Sequence, residues 1–527
     1  MEVYPRVDWP AMRLQVRALT APTAMAGDHR ADADPALPRL RPLAPNLDRA
    51  TLGALTIGLA ALVLYAASPN RDRFFASLAA ILCFALAPAL FPSVRARLDT
   101  PVCPLNWVLL VFLFQLVIDP LLICYSGPFA FTLPVLPSDG AVNASLFVSV
   151  VAWAAFVAGS EVALRWEPVM PRFVRALLSR PRPQVTPNRI ALVFALIGVA
   201  GLGLAYHSPG ALLDYFHQAS GHVGLENNAG NSGLVQSASL LLRPFLAFAL
   251  IIPWCGWIDR RRPDQRLMWR TLAIMALVLL ASATYSYNRA TAVAPLVAMV
   301  AVYGLRVLRL RFWVLLVAAV LAFGLLTAAR AYRNTNFTIS QAITSSNARQ
   351  AVLAEVNINH EIQIYTSAPQ FLGYLLERTG WGNDPHYGRT LVSSAMFPVP
   401  RLGAPFRATS GPVIYNHLIY GENSSDTDQI VPFQGELFLD FTFPGVVAGY
   451  FLLALGLYRL QRGFERSGSA VAAFARQYVA IWVSFLVIGS LAIFSQMAIY
   501  FFWPIVVFCL LTSRLAMADR EALSLSP

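Results

Sequence analysis

Residues 312–329 read FWVLLVAAVLAFGLLTAA, and a second apolar run begins at Leu437 and continues to Leu457. Each run is about the length that a helix needs to cross the hydrocarbon core of a bilayer, roughly 20 residues. Residues 330–434 lie between them and form the only long polar segment that separates two such runs. The sequence therefore predicts one large loop held between two membrane helices.

Apolar segments recur through the rest of the chain and account for its composition. The chain is 57% hydrophobic and 13% charged, with a mean hydropathy of +0.56, far from the values of soluble domains. The apolar segments lie at 51–67, 74–92, 105–125, 141–163, 190–206, 234–256, 271–287, 291–305, 312–329, 437–457, 478–494 and 498–512. We predict an all-α, polytopic integral membrane protein with about 12 transmembrane helices and one large extracytoplasmic loop.

The arginines predict how the chain is oriented. All 40 basic residues are arginines; 29 fall on the side of the N-terminal tail and 10 on the side of the large loop, with Arg243 inside a membrane segment. Basic residues accumulate in cytoplasmic loops. We therefore expect the loop to face outwards and both termini to be cytoplasmic.

The predicted organisation has five parts. Residues 1–50, rich in Pro, Ala and Arg without periodicity, read as a disordered cytoplasmic tail rather than a signal peptide. Helices one to nine occupy 51–329, the extracytoplasmic loop 330–434, helices ten to twelve 435–515, and a second cytoplasmic tail 516–527.

Composition also excludes other classes of protein. The isoelectric point near 9.8 would fit a nucleic-acid partner, but the apolar content favours a membrane, so we expect no nucleic acid. The five cysteines all lie in or beside apolar segments, without the spacing of a disulfide framework or a zinc site.

Four arginines at or near membrane depth predict an anion site: Arg243, Arg289, Arg330 and Arg333. A buried charge usually faces a cavity or a partner, although Arg243 could also extend to the outer interface. Guanidinium groups bind phosphate oxygens in bidentate fashion and stay charged, so a polyprenyl-diphosphate sugar fits this cluster. The arginines would also stabilise the leaving diphosphate.

A divalent cation is the rival means of binding a diphosphate. Asp426-Thr427-Asp428 is an outward Asp-x-Asp, but it follows a polar run typical of a solvated turn. We therefore expect metal-independent transfer, with no metal and no cofactor.

Two stretches carry a family resemblance. Residues 396–401 read MFPVPR, similar to the Phe-x-Pro-Arg stretch of bacterial oligosaccharide repeat-unit polymerases, the O-antigen polymerase family. Residues 435–445 read GELFLDFTFPG and resemble that family's Gly-Glu-x-Tyr-x-Asn-Phe-Gly-x-x-Gly. Phe438, Asp440 and Thr442 depart from its Tyr, Asn and Gly.

The resemblance implies an enzyme of the cytoplasmic membrane. Such an enzyme polymerises undecaprenyl-diphosphate-linked repeat units into O-antigen, capsular or exopolysaccharide on the outer face, by an inverting, metal-free transfer. The partners implied are the lipid-linked oligosaccharide, membrane lipid, a chain-length regulator and a flippase. Among the motif residues, Arg401 becomes a catalytic candidate.

Transfer to a sugar hydroxyl requires a general base. Glu436 is one candidate, and the i,i+4 spacing places it on the same helix face as Asp440, a candidate sugar ligand. Simple stabilisation of a helix N-terminus is the alternative role for Glu436. His360 is a second candidate base, and Arg407 a further substrate-binding candidate.

Aromatic residues of the loop could stack on sugars, or could pack its interior: Tyr365, Tyr374, Trp381, Tyr387 and Tyr415. Three other functions stay open. A lipid-linked oligosaccharide flippase would not need so large an external loop, an O-antigen ligase would share the frame, and a secondary transporter would show two similar halves.

Overall fold

The computed structural model describes residues 49–94, 103–129, 133, 135–165, 187–206, 208–211, 233–260, 265–283, 289–308, 324, 327, 341, 344–354, 356, 367–382, 384–397, 399, 406, 409–421 and 431–524. Within these residues the chain forms helices and no strand, which confirms the all-α class. Residues 1–48 of the predicted tail, and all of the predicted ninth membrane helix except 324 and 327, lie outside the described residues.

The described helices are numbered here in chain order. They are α1 (Arg49–Ala67), α2 (Ala76–Leu90), α3 (Pro104–Ser126, with a π-helical turn at Phe114–Ile118), α4 (Asp139–Arg165), α5 (Pro187–Tyr206), α6 (Gly233–Leu242), α7 (Pro244–Arg260), α8 (Gln265–Ala283), α9 (Arg289–Arg306), α10 (Ser346–Ala354), α11 (Ala368–Arg378), α12 (Arg389–Met396), α13 (Gly411–Tyr420), α14 (Phe433–Glu465), α15 (Ala470–Ile488) and α16 (Leu491–Ser524).

Eight spans within the described residues are long and apolar enough to cross a membrane, and three further apolar helices are shorter. The chain is a multi-pass membrane protein. The larger number of 12 spans stays a prediction, as does the sidedness of the loop.

The last two helices begin earlier than the hydropathy predicted. Helix α15 starts at Ala470 because the Ser469 side chain accepts the Ala472 N–H at 3.3 Å. It ends before Gly489, and the Ser490 side chain then accepts the Ile493 N–H of α16 at 3.2 Å. These caps, rather than hydropathy, set the boundaries. Helix α16 also continues to Ser524, into the predicted C-terminal tail.

The predicted loop 330–434 contains helices of its own. Its described parts hold α10, α11, α12 and α13, which are 9, 11, 8 and 10 residues long. None has the length of a membrane span. The described part of the loop is therefore a set of short helices, of which α11, α12 and α13 pack on the membrane helices.

One hydrophobic core forms where α4 packs along α14. Aromatic side chains fill it, and the Phe112 ring lies 5.0 Å from Trp153 and 5.7 Å from Tyr450 between ring centroids. The two helices approach closely at Gly159, where a Cβ atom would lie 2.6 Å from the Phe451 carbonyl oxygen. Small residues permit such contact between membrane helices.

A second core lies among α5, α7, α8, α9, α15 and α16. The Trp482 and Phe501 rings stack there, 5.1 Å apart and nearly parallel. Helix α15 contributes to both cores, with Leu486 and Val487 in the first and Tyr478 and Trp482 in the second. It therefore joins the two groups of membrane helices.

We expect Gly159→Ala to lower the thermal unfolding temperature of the detergent-solubilised protein, because the new methyl group would meet backbone of α14. Overpacking of this kind costs about 1–3 kcal/mol. Gly203→Ala is the matched control, since no atom lies within 4 Å of a Cβ there and alanine favours helix. An unchanged unfolding temperature in Gly159→Ala would contradict the close packing.

Candidate functional site

Helix α14 is broken near its N-terminal end, the end that we predict to face outwards. Phe441 has φ −140° and ψ 15°, and Thr442 has φ 55° and ψ −146°, so neither residue is helical. Pro444 lacks an N–H and cannot donate to the carbonyl of Asp440 four residues earlier. The break therefore leaves carbonyl groups near 440 in need of other donors.

The turn before α12 supplies those donors. The His386 N–H donates to the Leu439 carbonyl at 2.9 Å, and the Tyr387 N–H donates to the Asp440 carbonyl at 3.0 Å. Buried backbone groups are nearly always paired in this way. These two bonds fix the turn 386–388 against the break in α14.

The Asp440 side chain caps α12. Its two oxygens accept the N–H groups of Thr390 and Leu391, at 3.0 and 2.8 Å. The residue that precedes α12 is Gly388, which has no side chain to do this. A carboxylate at a helix N-terminus satisfies free N–H groups and stabilises the helix dipole. Asp440, predicted to contact sugar, is buried and pairs with protein backbone.

The Glu436 side chain joins two further elements. One oxygen accepts the Ser394 hydroxyl of α12 at 2.8 Å, and the other accepts the Leu491 N–H at the start of α16, at 2.5 Å. The Ser495 hydroxyl also donates to the Ser394 carbonyl at 2.6 Å. Glu436 and Asp440 do lie one turn apart in the helical segment 433–440, as the i,i+4 spacing predicted.

Both Glu436 oxygens have protein partners, and the side chain is fully buried against Gly411, where a Cβ atom would lie 2.6 Å from it. This arrangement is that of a structural junction. The role of Glu436 as the general base stays a prediction. His360 and Arg401, the other catalytic candidates, lie outside the described residues, as do Arg330, Arg333 and Arg407.

Arg243 lies at the boundary between α6 and α7, a turn within the one candidate span Ser237–Arg260 that corresponds to the predicted segment 234–256. Pro244 begins the second helix. The Arg243 side chain is buried, and its guanidinium lies 6.0 Å from the centre of the Tyr206 ring. It lines a small cavity together with Ser282, Thr291 and Tyr478.

The arginine cluster stays a prediction, since Arg243 is its only member whose side chain the structure describes. Arg289 begins α9 only two residues before Thr291, although the structure does not describe its side chain. Arg243 and Glu436 are not brought together. Glu436 contacts α16 at Leu491, whereas the cavity of Arg243 contacts it at Phe501, about 15 Å further along a helix.

An apolar groove of about 810 Å³ begins at the break and follows α14. Leu391 and Phe441 line its upper end, and Gly456 and Leu460 its lower end. The walls are apolar throughout, with contributions from α15 and from Phe494 of α16. About 19 residues of helix separate Phe441 from Leu460, close to the thickness of the hydrocarbon core.

The loop aromatics divide into two groups. Tyr374 and Tyr415 are buried, with ring centroids 6.2 Å apart in an edge-to-face pair, and the Tyr415 hydroxyl donates to the Phe371 carbonyl. Burial raises the pKa of Tyr415 well above its usual range. For these two, interior packing is the correct interpretation. Trp381 and Tyr387 are exposed, and Tyr365 lies outside the described residues.

Sequence reasoning missed the partners of the two carboxylates. Asp440 and Thr390 are 50 residues apart, and Glu436 and Leu491 are 55 apart. No local motif links residues so distant, because the capping side chain comes from another helix. The one available signal was Pro444, which predicts a break in a helix that otherwise reads as continuous.

We expect Asp440→Ala to lower the free energy of unfolding by about 1–2 kcal/mol, because two N–H groups of α12 lose their acceptor. Asp440→Asn retains one acceptor oxygen and should lose less. Asp384→Ala, which removes an exposed carboxylate from the same segment, is the control. Denaturant unfolding of the purified protein measures all three; equal stability of Asp440→Ala and the wild type would refute the capping role.

Comparison of the chain with protein-family models, with curated proteins and with solved structures finds no match.

Proposed function

We propose that this protein polymerises undecaprenyl-diphosphate-linked oligosaccharide repeats into O-antigen, capsular or exopolysaccharide on the outer face of the cytoplasmic membrane. The observation that carries the proposal is the apolar groove along α14, with polar, hydrogen-bonded backbone at its upper end. A long hydrocarbon chain fits the groove, and a polar head group would then lie at the turn 386–388 and the start of α12. A lipid-linked glycan has this shape, with a hydrocarbon chain at one end and a polar head group at the other.

The buried arginine supports the same substrate class. A guanidinium in a membrane interior needs an anionic or polar partner, and Arg243 lies in a cavity shared with two hydroxyl-bearing residues, Ser282 and Thr291. Arg289 begins the helix that carries Thr291. The cavity is about 20 Å³, room for roughly one water molecule, so it does not itself hold a diphosphate. That Arg243 and Arg289 bind the diphosphate of the substrate is our proposal from their charge.

The proposed reaction is a metal-independent glycosyl transfer without a cofactor. A hydroxyl of one lipid-linked repeat attacks the anomeric carbon of the growing glycan, and the bond from that carbon to the diphosphate oxygen breaks. A base accepts the hydroxyl proton, and the lipid diphosphate leaves with its negative charge stabilised by arginines. Glu436 and His360 remain the proposed bases.

A deletion strain should accumulate single repeats on the lipid carrier, because polymerisation follows translocation. We expect these repeats on the outer face, where a ligase would still transfer them as single-unit caps. Mass spectrometry of extracted lipid-linked glycans, and labelling of intact spheroplasts with a membrane-impermeant lectin, provide the measurement. Repeats confined to the cytoplasmic face would indicate a flippase, and long polymer left on the carrier would indicate a ligase.

Variants of the arginines test the diphosphate site. Arg243→Ala and Arg289→Ala, expressed in the deletion strain, should each reduce polymer on the order of 100-fold while the protein stays in the membrane. Arg→Lys should also be impaired, since the bidentate fork is lost. Arg266→Ala, an exposed residue of α8, is the matched control. Wild-type polymer in both Ala variants would remove the diphosphate role.

Glu436→Gln belongs in the same series because the structure predicts that the fold tolerates it. The new amide can donate to the Ser394 hydroxyl oxygen and accept the Leu491 N–H, so both contacts remain possible. A loss of polymer with unchanged thermal stability would then support the base role. Full activity would place the base elsewhere, with His360 the next candidate.

A further inference from the structure

The segment 380–388 has an unusual backbone. Five of its residues have positive φ angles: Gly380 (60°), Trp381 (62°), Gly382 (80°), Tyr387 (51°) and Gly388 (87°). Glycine adopts such angles freely, but for a bulky residue they are strained outliers. Trp381 and Tyr387 therefore keep this conformation only because the surrounding structure imposes it.

The break in α14 imposes the conformation. The backbone of His386 and Tyr387 is bonded to the carbonyls of Leu439 and Asp440. Gly382 is held against Phe438, where a Cβ atom would lie 3.0 Å from the ring, and Gly388 against Phe441, at 3.1 Å. The segment is thus fixed at both of its ends against residues 438–441.

The strain does not serve to bury the two aromatic rings. Trp381 remains 50% exposed and Tyr387 78% exposed, whereas Tyr374 and Tyr415 are in the interior. A large aromatic side chain gains its stability from burial. Two strained aromatic residues that leave half or more of their surface exposed gain little from packing, and strain of this kind concentrates at functional sites.

Charged residues lie on this segment and directly after it. Asp384 and Arg389 are both exposed and have no ion-pair partner among the described residues. Charged side chains are costly in hydrocarbon, so this face lies in an aqueous environment. Aromatic rings pack against the C–H faces of sugars, while carboxylate and guanidinium groups bind hydroxyls. The combination fits a carbohydrate.

We propose that Trp381 and Tyr387, with Asp384 and Arg389, form a glycan-binding surface that holds the sugar chain of the lipid-linked substrate. The surface adjoins the upper end of the groove, since Gly388 contacts Phe441 and Leu391 lies on α12. A lipid chain in the groove would place its first sugars beside these rings. The identity of the glycan as the substrate rests on the proposed function.

Binding to the purified full-length protein tests the surface. The probe is the lipid-free repeat oligosaccharide, released by mild acid from the host's own lipid-linked glycans, and the measurement is its Kd by isothermal titration. Trp381→Ala and Tyr387→Ala should each raise Kd about three- to tenfold. Trp381→Phe and Tyr387→Phe should recover most of the affinity, because a ring is retained.

Trp269→Ala is the matched control, since this tryptophan of α8 is 65% exposed and lies far from the segment in sequence. Its Kd should equal that of the wild type. An unchanged Kd in the Trp381→Ala, Tyr387→Ala double variant would overturn the proposal. If the double variant also has a lower unfolding temperature in lipid nanodiscs, the rings anchor the protein at the membrane interface instead of binding glycan.

The two proposals fail in different ways. Polymerisation in the same variants, assayed with lipid-linked repeats, should show a raised KM with kcat little changed. If the wild type binds the oligosaccharide through these rings but forms no polymer, the polymerase function fails and the glycan surface stands. If polymer forms normally and the double variant binds oligosaccharide like the wild type, the surface alone is refuted.

Discussion

Hydrogen bonding of the backbone at the break in α14 is the constraint on which this structure depends. Leu439 and Asp440 are buried inside the protein, away from water, so a carbonyl released from the helix there must find a donor within the protein. Pro444 removes the helical donor for the Asp440 carbonyl, and the turn at His386 and Tyr387 replaces it. The turn before the loop helix α12 therefore supplies hydrogen bonds that the broken helix α14 lacks.

The side chains of Asp440 and Glu436 connect the broken helix α14 to two further helices, α12 and α16. Asp440 stabilises the start of α12 and Glu436 the start of α16, so three helix ends meet at one buried point. Buried polar groups are costly unless they are hydrogen-bonded, and here each carboxyl oxygen has a partner. A junction of this kind holds the turn 386–388 rigidly above the groove. Rigid support of this type is what a site needs if it is to hold a substrate in one geometry.

Hydropathy was sufficient to predict the membrane class and most helices, because the bilayer imposes length and composition directly. The position of Glu436 and Asp440 on one helix face also followed from local helix geometry. The contacts that build the site did not, since Ser394 and Leu491 are brought to Glu436 by tertiary packing alone. A tryptophan does not favour a left-handed backbone. The flanking glycines, Gly380 and Gly382, were the only sequence signal for the conformation of Trp381.

The close contact of α4 with α14 has a consequence for biosynthesis. Helix α4 is made roughly 300 residues before the helix that covers it, which at 5–20 residues per second is an interval of about 15–60 s. During that time the Gly159 face is in the membrane without α14, open to lipid or to an insertion factor. Two of the three buried serines of α4, Ser145 and Ser149, bond to carbonyls of their own helix and so need no partner during that time. The helix is thus chemically suited to an early, unaccompanied insertion.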